Sequence, residues 1–110
     1  MSYEIREESG AAIVALTGDV DVQTSPAVRL KLLESLEQHK CIVVDLSAVH
    51  YIDSSGVASL VEAFQVSRKK GASFSLANVS AAAMRVLSLA RLDKVFTIHA
   101  SVEAALAPQG

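Results

Sequence analysis

Val43 to Leu60 reads VVDLSAVHYIDSSGVASL, and the order of its three parts decides the fold. The first part continues Cys41-Ile42 as an unbroken apolar run to Asp45-Leu46, the pattern of a strand covered on both faces. The last part places Val57, Leu60, Val61 and Phe64 at i, i+3, i+4 and i+7, with Glu62, Gln65, Arg68 and Lys69 turned outward. That spacing predicts a helix from near Val57 to near Gly71. Between them lies a short link through Tyr51-Ile52 and a polar turn, Asp53-Ser54-Ser55-Gly56. The predicted strand over 41–46 is expected at the centre of the sheet.

Working outward, Ile5 to Glu8 and Ala12 to Thr17 read as two strands joined across Ser9-Gly10, a hairpin signal, with Gly18-Asp19 ending the second. Ser25-Pro26 then offers a hydroxyl cap and a first-turn proline, and Val28, Leu32 and Leu36 recur at helical spacing up to about Gln38. Downstream, Phe74 to Ala77 is a predicted strand, and Ser80 caps a third helix carrying Met84 and Leu87. Val95 to Ile98 is a last strand, and Ser101 caps a short helix through Leu106. Strand and helix alternate, which calls for right-handed crossovers. The expected fold class is α/β: a mixed, mainly parallel sheet of four to five strands flanked by four helices, in one domain over residues 1–110.

Composition narrows the function. Hydrophobic residues make up 51% of the 110 and charged residues 20%, the balance of a folded globular chain. A formal net charge of -2 supplies no cationic field for a phosphate backbone, so direct nucleic-acid binding is not expected. Apolar stretches are far shorter than the roughly 18 residues needed to span a bilayer, and the N-terminus has no basic leader, so no membrane insertion and a cytoplasmic location are expected. Cys41 is alone and sits where a small apolar residue would enter a strand. Scattered His39, His50 and His99 lack the paired spacings of metal ligands.

Ligands of such sheets gather beyond the carboxyl ends of the strands, where the Asp53–Gly56 turn falls. A hydroxyl there stands at a helix N-terminus, whose unpaired N–H groups and dipole favour an anion such as a phosphoryl group. Gly56 would let another molecule approach the backbone. The plainer reading is that Asp53, Ser54 or Ser55 simply caps the helix. One serine can cap while its neighbour faces solvent as a phosphoacceptor. A serine-hydrolase elbow fits poorly, because glycine is missing two positions before either serine and no histidine has an acidic partner at useful spacing.

These residues resemble the sulfate transporter and anti-sigma factor antagonist (STAS) domain in its free-standing bacterial form. The resemblance rests on Val43 to Leu60, on LTGDVD from Leu16 to Asp21, and on the run from Asn78 through Val86-Leu87 to Leu92, Val95-Phe96 and Ala105-Leu106. It implies phosphorylation of Ser54, with Asp53, Ser55 and Gly56 shaping the turn. It also implies no enzymatic activity and no cofactor. The implied partners are an anti-sigma factor serine kinase that itself binds ATP, captured so that a sigma factor is freed, and a serine phosphatase that resets the switch. Asp19, Asp21 and Thr24, with Ser59 on the helix after Gly56, join Asp53, Ser54, Ser55 and Gly56 in the implied partner surface.

Arg91 departs from the pattern. Many members carry glycine between the third helix and the Leu before the last strand, where a left-handed turn is usual, so a different local path is expected here. An alternative role follows from close relatives that serve as cytoplasmic subunits of lipid-transporting ABC complexes.

Overall fold

The computed structural model describes residues 2–107. Ser9 and Gly10, at φ of 53° and 81°, turn β1 (Ser2–Glu8) back along β2 (Ala11–Val20) as an antiparallel hairpin. From there strand and helix alternate through α1 (Ser25–Gln38), β3 (Cys41–Ile52), α2 (Ser54–Lys70), β4 (Ser73–Ala77), α3 (Ala81–Leu89), β5 (Thr97–His99) and α4 (Val102–Leu106). The sheet order is β1-β2-β3-β4-β5, and β2 to β5 run parallel. The mixed, mainly parallel sheet with four helices and a central strand at Cys41 is as the sequence predicts.

Alternation along the strands sorts the core into two layers. Val14, Leu16, Ile42, Val44, Leu46 and Leu76 face Val28 and Leu32 of α1, Leu60 and Ala63 of α2, and Leu87 of α3. Ile13, Val43 and Ala77 face the other way, onto Val102 of α4. Phe64, Phe74 and Phe96 close one end of the larger layer with ring centroids 5.4–6.2 Å apart, within the range of favourable aromatic pairing.

The central strand is longer than the apolar run suggests. Against β2, Ala15 pairs with Asp45 but Thr17 with Ala48, and Gly18 pairs with Val49 but Asp19 with Tyr51. Each bulge adds one residue to β3 and flips its side-chain parity, so Leu46, Val49 and Ile52 all reach the same buried layer at a spacing of three. An alternating template cannot register that pattern. Past Asp45, β3 outruns β4, and Ser80 covers its free edge: the Ser80 N–H donates to the Leu46 carbonyl at 3.3 Å and its hydroxyl to the Val49 carbonyl at 2.7 Å. Ser80 and Ser101 also cap α3 and α4 as predicted.

Three local expectations are corrected. α1 has Thr24 at its N-cap with no side-chain cap bond, and Ser25 is already helical and buried. β5 is only Thr97–His99, because a 3-10 turn at Leu92–Lys94 folds Phe96 into the core and leaves Val95 exposed. Arg91 itself adopts the left-handed conformation, φ 61°, so the turn associated with glycine is made here by a residue with a side chain.

Candidate functional site

Asp53 sets the geometry of the turn. Its carboxylate accepts from the N–H of Ser55 at 2.9 Å and of Gly56 at 3.2 Å, while its own N–H extends the parallel ladder to the Val20 carbonyl at 3.1 Å. The helix therefore starts at Ser54, three residues before the predicted position, with Asp53 as N-cap. The expectation that unpaired N–H groups await an anion is corrected in part, since a carboxylate already holds two of them. Ser54, the first helical residue, is exposed and its hydroxyl has no hydrogen-bond partner among the described residues. Asp53 caps and Ser54 faces solvent, so the expected division between the two serines is corrected: the cap is the aspartate before them.

Gly56 serves packing instead of ligand approach. It is buried, and a Cβ on it would stand 2.7 Å from side-chain carbons of both Ile52 and Val20, so its absence lets α2 seat on β2 and β3. Ser59 is also not on the exposed face where a partner would meet it. It is 6% exposed, and its hydroxyl reaches the carbonyls of Ser25 and Ser55, both at 3.2 Å, tying α2 to α1.

The loop from Asp19 to Thr24 lies beside this turn, because Asp19 pairs with Tyr51 and Val20 with Ile52 at the ends of β2 and β3. Asp21 holds the loop in shape: its carboxylate accepts from the N–H of Gln23 at 3.0 Å and of Thr24 at 3.1 Å. The Thr24 hydroxyl in turn accepts from the Asp21 N–H at 2.8 Å and donates to the Asp19 carbonyl at 3.0 Å. The Thr24 N–H beside it holds the Asp21 carboxyl below the usual carboxylate range, with the Gln23 N–H and the Thr24 hydroxyl adding to the effect. Asp19 is exposed and leaves its carboxylate toward solvent.

Sequence reasoning missed an apolar groove that begins at Ser54. Val57, Ala58 and Val61 of α2, Val86 of α3 and Ala90 just after it line it, with Glu62 and Gln65 on its side, enclosing about 510 Å³. Its one carboxylate, Glu62, is matched by Arg29 of α1 at 2.7 Å, which lowers the Glu62 carboxyl and raises the Arg29 guanidinium. The available signal was that α3 carries Val86 and Leu89, followed by Ala90, beyond the stripe needed for its buried Ala83 and Leu87. No histidine hydrogen-bonds to Ser54. His39 instead bridges the Ser35 carbonyl and Glu7, whose carboxylate lies 3.2 Å from its Nε2, a partner invisible at sequence level because β1 is remote in the chain. Among the described residues no three His, Cys, Asp or Glu side chains gather as metal ligands, and no helix is long and apolar enough to cross a membrane.

The model of the STAS domain family matches residues 2–105. The chain belongs to the STAS domain family. Among relatives of this STAS domain, an anti-sigma-B factor antagonist of Bacillus subtilis is 28% identical over 94% of this chain and 94% of its own length. An anti-sigma-B factor antagonist of Listeria monocytogenes is 30% identical over 89% of this chain and 88% of its own. A crystal structure of an anti-sigma factor antagonist from Mycobacterium paratuberculosis superposes with a TM-score of 0.85 at 26% identity, covering 96% of this chain and 90% of that one. These relatives are regulatory proteins by name, and the STAS domain here is similar to them over nearly its whole described length.

Proposed function

We propose that this STAS domain acts as an anti-sigma factor antagonist: unphosphorylated, it captures an anti-sigma factor serine kinase and frees a sigma factor, and phosphorylation of Ser54 releases the kinase. The observation that carries the reading is the Ser54 hydroxyl, exposed and unbonded on the first residue of α2, between a carboxylate cap and an apolar groove. A kinase can reach that oxygen without unfolding anything. Similarity to proteins named as antagonists of anti-sigma factors supports the choice of partner. The proposed contact surface comprises Asp19, Asp21, Thr24, Asp53, Ser54 and Ser55, extended along the α2/α3 groove. ATP belongs to the partner, and a serine phosphatase restores the hydroxyl.

Physical chemistry supports release over recruitment. A phosphate adds about -1.5 to -2 charges at neutral pH. It would stand next to the Asp53 carboxylate, which already occupies the Ser55 and Gly56 N–H groups that a free helix end could otherwise offer. Repulsion and desolvation then dominate in a tight interface. A penalty on the order of 3 kcal/mol raises Kd roughly a hundredfold. The test is to incubate the chain with its kinase and Mg-ATP, map the phosphate by mass spectrometry, and titrate both forms against the kinase with nucleotide present. Phosphate on Ser55 or Thr24 alone, or equal binding by both forms, overturns the proposal.

A further inference from the structure

β1 is the outer strand of the sheet, so one side of its backbone, over seven residues, has no neighbouring strand. Its helix-facing side also carries Tyr3 and Ile5, each 41% exposed. Charged residues on an edge strand commonly discourage pairing with another chain. Here the order of Glu4, Arg6, Glu7 and Glu8 does something more specific. Antiparallel pairing of two copies centred on Ile5 puts Ile5 against Ile5, Glu4 against Arg6 twice, Tyr3 against Glu7 and Ser2 against Glu8. Opposite charges meet and no like charges do.

Neighbouring registers lose this match. Centring on Glu4 sets Glu4 against itself, and centring on Arg6 sets Arg6 against itself and Glu4 against Glu8. A shift by one residue either way sets Ile5 against a charged side chain and turns the helix layers to opposite faces. We propose that a second copy of this chain occupies the β1 edge in the Ile5-centred register, forming a reversible homodimer with one continuous sheet. Residues of equal parity then meet, so both helix layers lie on one side and Tyr3 and Ile5 of the two copies form a shared apolar strip. Arg6, which bridges Glu8 at 3.3 Å on an exposed surface, exchanges that weak partner for Glu4 of the second copy. Because the two β1 strands pair antiparallel, every strand of one copy runs opposite to its counterpart in the other, so the carboxyl ends of β2 and β3 point in opposite directions and both Ser54 turns stay free. A single seven-residue strand on each side is a small contact beside the roughly 1,000 Å² of a stable interface, so association is expected to be weak and to depend on concentration.

Analytical ultracentrifugation of the full chain without an N-terminal extension tests this from micromolar to millimolar concentration. The mass is expected to rise from 11.6 kDa toward twice that value. Glu4→Arg or Arg6→Glu alone sets like charges opposite each other at two places and is expected to weaken association about tenfold or more. The Glu4→Arg/Arg6→Glu double variant restores it, as does mixing the two single variants, since each then meets opposite charge. Thermal unfolding of the dilute variants should match the parent, because both positions are exposed. A chain that stays monomeric throughout, a dimer indifferent to both single reversals, or a double variant without rescue overturns the proposal. The outcome is independent of whether Ser54 is phosphorylated.

Discussion

Asp53 and Ser54 are adjacent, yet their side chains answer to different demands. Asp53 satisfies two N–H groups of α2, so Asp53→Ala is expected to cost about 1 kcal/mol of stability in urea unfolding. Ser54→Ala removes a hydroxyl with no partner and should leave the unfolding midpoint within about 0.5 kcal/mol of the parent while abolishing modification in the proposed switch. A large loss of stability in Ser54→Ala would mean that the hydroxyl is structural. Asp53→Asn keeps an acceptor for the cap but removes the charge, so phosphorylation of that variant should raise Kd for the kinase less than in the parent. An unchanged ratio would exclude Asp53 as the source of repulsion. At Arg91 the backbone itself is the cost: φ of 61° disfavours any residue with a Cβ, and Arg91→Gly is expected to stabilise the fold by about 0.5–1 kcal/mol, measured by urea unfolding.

Elements meet at the site through close packing of α2 on the strand ends. Gly56→Ala would gain intrinsic helix propensity, about 1 kcal/mol, but its methyl carbon must enter space held by buried Val20 and Ile52. Overpacking of that kind costs typically 1–3 kcal/mol, so a net loss of stability is expected, and the displaced Ser54 should be phosphorylated more slowly. In the loop between β2 and α1, the depressed Asp21 carboxyl makes stability depend on pH in a defined direction. Its contribution is fully present above the unfolded carboxyl value near 3.8 and is lost as pH falls through the lower folded value. Amide shifts of Gln23 and Thr24 in NMR should stay constant from neutral pH to about pH 5 and move only in strong acid. Movement near pH 6 would place the titrating group elsewhere. For probing the partner surface, Asp19→Lys is cleaner than reversal at Asp21, because Asp21 also holds the loop. Asp19→Lys is expected to weaken kinase capture several-fold without lowering Tm.

For the molecule as a whole, the sheet brings the β2 and β3 ends to the Ser54 turn, where the α2/α3 groove begins, so a charge added at Ser54 stands where the parts of the proposed contact surface meet. Ser54→Asp supplies one charge and less volume than a phosphate, and its Kd for the kinase should fall between those of the unmodified and phosphorylated chains. Binding equal to the unmodified form would argue that the bulk of the phosphate, not its charge, drives release. The alternation of strand and helix, the hairpin at Ser9-Gly10, the caps at Ser80 and Ser101 and the polar turn before α2 were legible in the sequence, because each depends on residues close together in the chain. Periodicity and turn chemistry need nothing more. What the chain could not disclose locally were features made by distant residues meeting: the two bulges that carry β3 on to Ile52 are defined only against β2, and part of the space denied to a Cβ on Gly56 is held by Val20 of β2. The burial of Ser59 against α1, the Glu7 partner of His39 and the groove between α2 and α3 belong to the same class, since each exists only where elements separated in sequence are brought into contact.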